Sequence, residues 1–549
     1  MRAAAEPTPA AVRPVLYANP PPYRTDIPMS KRERISPVDT AWLRMDRPTN
    51  LMMIVGIMMF DGAMDYARLR RTLEARLLPY RRFRQKIVHD ATGAWWEDDT
   101  EFELDAHLHH VILPAGEHKA ELQKMAAELM SSPLDPNRPL WSFHLVDRYD
   151  GGSALVVRIH HCIADGIALI GVMLSLTDTA PDAPERPGPP LEMAREDGPD
   201  SFFWNRVFEP VTQGMISAIN LSTHAWLKYF ELLTHPGQVL DYSRQGVSMA
   251  AELGNLLIMP SDSQTRFKGK PGGTKAVAWS EPMPLTEIKA VGKALGCSVN
   301  DLLLSSVAGA LRAYLVEQGD AVEGVEVRAL VPVNMRSRAD EGKLGNRFGL
   351  VTLLLPVYFE NPFERVFEVR RRMDELKGST LPVVALGILA ATGLAPKFVQ
   401  DIALDILANK ASAVMTNVPG PPQPLYMAGA HLAQQIFWVP QSGDIGMGVS
   451  ILSYDGKVQF GLVTDRHFVT DPENIVSRFR PEFEKLVYAL LLEPWEELRT
   501  PEEIAQSLEE ELAVGQCAPA KQPRQPRAPR RKPPAAAEAA AEAPPSRAD

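Results

Sequence analysis

The sequence predicts an α/β (α+β) protein of two domains, each a mixed sheet with flanking helices, joined by a long helical linker and flanked by disordered tails. Three observations carry this. Residues 33–180 and 273–495 each mix strand-like and helix-like apolar patterns, whereas 181–272 opens rich in proline and continues at helical spacing. At 549 residues with 45% apolar side chains, the chain can build two or more real cores. Residues 1–28, 180–199 and 518–549 hold 21 of the 48 prolines, which marks two tails (1–32 and 496–549) and the start of the crossover.

The elements follow in order. Residues 51–60 are a continuous apolar run ending at Asp61-Gly62, the pattern of a buried strand. Tyr66, Leu69, Leu73 and Leu77 fall three or four apart and predict a helix over 66–78; 117–130 is a second, closed by Ser131, Ser132 and Pro133. Strands at 141–146 and 154–159 flank Asp150-Gly151-Gly152, a natural hairpin connection. An apolar helix follows at 167–176. In the crossover Val211, Met215, Ile219, Trp226, Phe230 and Leu233 recur at helical spacing, so 203–259 reads as two helices. Thr286 reads as the N-cap of a helix over 287–296, and Asn300 or Asp301 opens another running to about Glu317. Strands are expected at 325–333, 349–358, 411–417, 435–440, 446–453 and 457–464, the last pair flanking the turn Tyr454-Asp455-Gly456. A helix over 472–492 closes the second block.

Charge and cysteine narrow the class. The net charge is −10, and the one obvious basic run (Lys521, Arg524, Arg527, Arg530, Arg531, Lys532) sits in the last proline-rich segment, so the remainder is more acidic than the total and is no nucleic-acid binder. Cys162, Cys297 and Cys517 are too few and too scattered for a disulfide framework or a metal site, which points to a reducing, cytoplasmic compartment. Residues 1–28 lack the apolar core of a secretory signal. The longest uncharged apolar stretch, 381–396, is shorter than the ~20 residues a membrane span needs.

The segment that carries chemistry is His160-His161-Cys162-Ile163-Ala164-Asp165-Gly166, at the end of a strand and just before a helix. Adjacent histidines can be structural, satisfied by backbone carbonyls. A shared metal is disfavoured because neighbours on a strand point to opposite faces. In the third reading one imidazole is a general base and the other its structural neighbour, with Asp165 holding the loop and Gly166 relieving crowding. Cys162 reads as a small packed residue; as a nucleophile it would give ping-pong kinetics.

The same residues resemble a known family. His160 to Gly166 matches the His-His-x-x-x-Asp-Gly motif of the bacterial wax ester synthase/diacylglycerol acyltransferase family, within the coenzyme-A-dependent acyltransferases that include condensation domains. Ser36-Pro37-Val38-Asp39 with Trp42-Leu43, Arg82-Phe83-Arg84-Gln85-Lys86, Pro139-Leu140-Trp141, Asn300-Asp301 and Asn417-Val418-Pro419-Gly420-Pro421 resemble further family signatures in their family order. The likeness covers about 33–495. It departs at Met52-Met53, where the family often has a histidine, and in the proline-rich ends.

The resemblance implies two chloramphenicol-acetyltransferase-like domains and an O-acyltransferase that moves a long-chain acyl group from acyl-CoA to a fatty alcohol, to diacylglycerol, or to both. His161 would be the general base, His160 its support and Asp165 an orienting group beside Gly166. Asn300 and Asp301 would stand near the reaction centre, although either also serves as a helix cap. Pro139, Leu140 and Trp141 would shape an acyl channel or belong to plain core. Stretches 211–233 and 381–396 would line such a channel, touch lipid, or be ordinary buried helices. Acyl-CoA would be a co-substrate, with no cofactor and no metal, and Arg336, Arg338, Lys343 and Arg347 are candidates for its phosphates. The enzyme would be cytoplasmic and able to sit at a membrane or lipid-droplet surface. A condensation-type acyltransferase on carrier-bound substrates and a non-catalytic lipid-droplet protein are the rival readings.

Overall fold

The computed structural model describes residues 32–184, 186, 262–335, 344–376, 381–394 and 410–492, with gaps at 92 and 115–117, together with Lys397, Gln400 and Asp401. The crossover helices expected at 203–259, the stretch 211–233, and both tails apart from Arg32 lie outside the described residues.

In the first half the order is β1 (Glu33–Arg34), α1 (Pro37–Arg44), β2 (Met53–Phe60), α2 (Tyr66–Arg76), β3 (Gln85–Asp90), β4 (Gly93–Asp98), β5 (Leu108–Ile112), α3 (His118–Ser131), β6 (Trp141–Tyr149), β7 (Gly152–His160) and α4 (Gly166–Ser175). Every residue of β7 is buried, the polar Ser153, Arg158 and His160 included: it is a central strand covered on both faces. It pairs antiparallel with β2, placing Met53 opposite His160, and with β6 through a tight hairpin at Asp150-Gly151, both with positive φ. Small strands β1, β4 and β3 form a separate sheet. There Arg82 pairs with Glu33 and lies over the Trp96 ring, while Phe83 is fully buried, so the basic signature at 82–86 is structural here.

The second half continues with β8 (Lys275–Trp279), β9 (Met283–Pro284), α5 (Leu285–Leu295), α6 (Val299–Glu317), β10 (Val327–Asn334), β11 (Phe348–Leu355), α7 (Pro362–Leu376), α8 (Leu381–Leu394), β12 (Ala413–Pro419), β13 (Tyr426–Met427), β14 (Ala430–Trp438), β15 (Met447–Tyr454), β16 (Lys457–Asp465) and α9 (Pro472–Leu492). Its sheet runs β11-β10-β12-β15-β16-β8, with β9 paired to β16. Helix α6 is apolar and long enough to cross a membrane by length and composition, but it is largely buried against α7 and α9. Gly309 on α6 leaves room for the buried Arg365–Glu482 pair (2.6 Å) that ties α7 to α9; any side chain there would strike both.

Two expectations change. Thr286 is no cap, because the extended Pro284 ends β9 and α5 begins at Leu285. Nor does the strand expected at 435–440 stay with the second block. As β14 it pairs antiparallel with β2, and the first sheet runs β13-β14-β2-β7-β6-β5. The strand alternates too weakly in sequence to declare its partner, and the free edge of β2 is what it satisfies.

The halves share one apolar layer: Met53, Val55 and Ile57 of β2 pack with Val277 and Trp279 of β8 and Val463 of β16. Polar ties flank it. Buried Lys275 reaches Asn50 (2.5 Å) and Asp465 (3.5 Å), and Asn50 donates to the carbonyls of Gly443 and Ile445. Stretch 381–394 is neither free nor lipid-facing along its first-half contact: α8 packs on α1, with Arg44 bonding the Gly393 carbonyl and no space for a Cβ at Gly393 beside Pro37.

Candidate active site

β7 ends at His160, and the chain turns at once. The Ile163 amide donates to the His160 carbonyl, and the His161 amide to the Met52 carbonyl at 2.7 Å. Both imidazoles are buried. His160 Nδ1 accepts the Cys162 amide at 3.1 Å, which fixes the unprotonated nitrogen and directs Nε2 toward the Asp46 carboxylate, 3.4 Å away. His160 is thereby a strut of the turn. Cys162 is a free, buried thiol.

His161 is held differently. Its ring stacks on the Trp42 indole, centroids 4.1 Å apart and 16° from parallel, with Phe348 at 5.5 Å. Its Nδ1 is buried and has no hydrogen-bond partner among the described residues. Burial pushes its pKa down to about 4, against the Asp165 carboxylate, which favours the charged form. The ring is therefore neutral at pH 7.

Two side chains close the loop over this turn. Asp165 caps α4, its Oδ1 accepting the Ala168 amide at 3.0 Å, while Oδ2 accepts the Arg347 amide at 2.8 Å. Asn346, beside Arg347, donates from Nδ2 to the His161 carbonyl and to Asp39 Oδ1, both at 2.7 Å. Burial raises the Asp39 pKa, opposed by the hydrogen bonds from Asn346 and Ser36. So a loop of the second half, 344–347, locks the motif of the first. Asn346 carried no sequence signal, being one asparagine in a charged stretch; Trp42 was visible only as part of a quoted signature.

Beside the turn lies a pocket with apolar walls. Ile159 lines it from the end of β7, Gly166 from the motif, Ile170 and Met173 from α4, Gly56 and Met58 from β2. Val418, Gly420 and Pro421 bring the Asn417–Pro421 signature to its wall. Gly166 has a different purpose from the one expected: a Cβ there would meet nothing within 4 Å, so glycine relieves no crowding and instead leaves the cavity open.

The other candidates divide. Pro139, Leu140 and Trp141 do not line this cavity. The Leu140 carbonyl accepts the His160 amide at 2.9 Å, and Trp141 stacks on His107 (4.5 Å) with its Nε1 on the Phe83 carbonyl, so the three brace the strand behind the motif. Ser298, not Asn300 or Asp301, caps α6; Asp301 completes a capping box. That leaves the Asn300 side chain to accept from Asn417 Nδ2 at 2.5 Å, one residue before Val418 on the cavity wall. Of the basic cluster, Arg336, Arg338 and Lys343 lie outside the described residues, and the Arg347 amide is engaged by Asp165.

Residues 35–303 match the wax ester synthase/diacylglycerol acyltransferase catalytic domain, and residues 344–487 the C-terminal domain of the same family. A probable diacylglycerol O-acyltransferase of Mycobacterium tuberculosis is 25% identical over 465 residues, covering 82% of this chain and 95% of that protein. A second from that organism is 28% identical over 405 residues, covering 72% and 84%. The solved wax ester synthase/diacylglycerol acyltransferase from Marinobacter aquaeolei VT8 superposes with a TM-score of 0.58 at 20% identity, covering 84% of this chain and all of that one. A starter condensation domain of rhizomide synthetase gives 0.51 at 13% identity, covering 84% and 94%. The expected fold, two mixed halves of the chloramphenicol-acetyltransferase type, is the one these structures share.

Proposed function

The chain belongs to the wax ester synthase/diacylglycerol acyltransferase family, and from that membership we propose that it transfers a long-chain acyl group from acyl-CoA to diacylglycerol or a long-chain alcohol, with His161 as general base. The observation that carries this reading is a buried, neutral imidazole at the seam of the two halves, in a turn whose Gly166 lines an apolar pocket.

The chemistry needs little more. Nδ1 of His161 is sealed, which leaves Nε2 to take the proton of the acceptor hydroxyl as its oxygen attacks the thioester carbonyl. Collapse of the tetrahedral intermediate breaks the carbon–sulfur bond, and the departing thiolate takes the proton from the imidazolium. Asp165 acts from a distance: its carboxylate favours the transient imidazolium while its oxygens hold the turn. His160, Asn346 and Trp42 position the ring. Dry walls favour an alcohol over water, since water at the thioester would hydrolyse the donor. Residues for the coenzyme's phosphates and attachment to a lipid surface remain part of this proposal, with Arg347 the described member of the basic loop.

The test uses purified protein and palmitoyl-CoA with hexadecanol, diacylglycerol or water, following free thiol and lipid product together. Ester formed in step with thiol supports the reading. Thiol released without ester overturns it in favour of hydrolysis.

A further inference from the structure

Among the described residues lining the cavity only two carry polar side chains, Thr177 and Gln435. Thr177 spends its hydroxyl proton on the Leu174 carbonyl at 2.9 Å. Gln435 is different. It sits on β14 opposite Met58, just past a bulge between Leu432 and Gln434. Its neighbour Gln434 turns the other way and accepts from Gln459 Nε2 at 3.0 Å. The Gln435 carboxamide has no hydrogen-bond partner among the described residues, although it is partly buried. Bulges re-aim side chains in this manner near functional sites. Gly420 stands beside it, a glycine because a Cβ there would overlap the Ser453 carbonyl.

An unpaired carboxamide in an apolar cavity is costly to cover with bare hydrocarbon and favourable to cover with a carbonyl. Resting on the acyltransferase reading above, we propose that Gln435 is a specificity-determining residue whose side-chain N–H donates to an ester carbonyl of the acceptor, so that this cavity selects diacylglycerol over acceptors that lack such a carbonyl. A plain long-chain alcohol offers only hydrocarbon at that depth, as does a dialkylglycerol, which has the two chains and the free hydroxyl of diacylglycerol but ether oxygens in place of its esters. Sites built to bond a substrate group discriminate against analogues that lack it.

The experiment compares 1,2-dioleoylglycerol, its 1,2-dioleyl ether analogue and hexadecanol as acceptors for palmitoyl-CoA. In the unmodified protein the diester is expected to exceed the diether about tenfold in kcat/KM, the effect of one hydrogen bond. Gln435→Met should collapse that ratio to near one, raising KM for the diester while the diether and hexadecanol, freed from covering a bare carboxamide, are used at least as well as before. Equal use of diester and diether by the unmodified protein would overturn the proposal without any variant. So would a ratio that survives in Gln435→Met, or an equal loss for all three acceptors, which would assign Gln435 to the acyl donor. Failure to make ester from any acceptor would instead refute the acyltransferase reading itself.

Discussion

Trp42 lies flat against His161, 4.1 Å between ring centroids, so an aromatic side chain from the first helix forms one wall of the imidazole's environment. Its stacking helps keep water off the ring, and burial is the main reason the pKa stands near 4 rather than 6.5.

The acid limb of kcat/KM should therefore fall near pH 4 to 5, with a flat profile from there to neutrality. Trp42→Leu, which opens the ring to water, should move that limb upward toward 6. A limb at 6.5 or above in the unmodified enzyme would contradict the neutral, buried base. His161→Ala should cost ~10²–10⁴-fold in rate while the protein still folds and melts cooperatively, and retention of a tenth of the rate would remove His161 from that role.

Stability should follow the same group. The folded pKa lies below the unfolded value, so between about pH 4 and 6.5 the unfolded chain binds more protons. Stability is full above 6.5 and is lost as pH falls through 4, by on the order of 3 kcal/mol from His161. Urea denaturation of the protein and of His161→Phe at pH 7 and pH 4.5 measures it: the pH-dependent loss should be smaller in the variant.

Asn346→Leu should be among the more damaging substitutions outside the motif. It strips the donor from the His161 carbonyl and from buried Asp39 together, a cost of about 1–3 kcal/mol for each group left unpaired. Tm should fall by several degrees and kcat should drop while KM for either substrate stays nearly level. Unchanged kcat would mean that the loop does not position the base.

Asp165→Asn keeps an oxygen for the Ala168 amide but turns an NH₂ toward the Arg347 amide, or the reverse. A stability loss of about 1–2 kcal/mol is expected. Because the carboxylate favours the imidazolium, the acid limb should also move lower. An upward move would show that its contribution is not electrostatic.

Gly166→Ala should fold well, since its Cβ meets nothing and replacing glycine restricts the unfolded chain. Gly166→Leu should narrow the pocket and change the ratio of 1,2-dioleoylglycerol to 1,2-dioctanoylglycerol turnover in favour of the shorter chains. An unchanged ratio would place the acceptor's chains elsewhere.

Much of this architecture could be read from local chemistry. The continuous apolar run of β2, the Asp150-Gly151 and Asp455-Gly456 turns with their positive φ values, and the helix over Pro472–Leu492 each follow from the residues that form them. The motif turn was legible for the same reason. Long-range partners were not. Nothing in the composition of β14 says that it pairs with β2, and Asn346 acquires its meaning only when its loop reaches Asp39 and His161. Caps were mistaken where two candidates competed within a few residues: Ser298 takes the end of α6 because Asp301 can answer it from the third position.

The pairing of β14 with β2 also sets the order of events during synthesis. Asp61 and His431, which meet beside that seam at 2.8 Å, are 370 residues apart in the chain. A ribosome that has finished the entire first half has still not made the strand that completes its sheet, so the nascent protein must carry an open edge of Met53–Phe60 for most of its translation. The methionine-rich character of that edge makes it a natural client for chaperones until the last quarter of the chain emerges. Severing the gene between the halves would yield two fragments that each need the other to be whole.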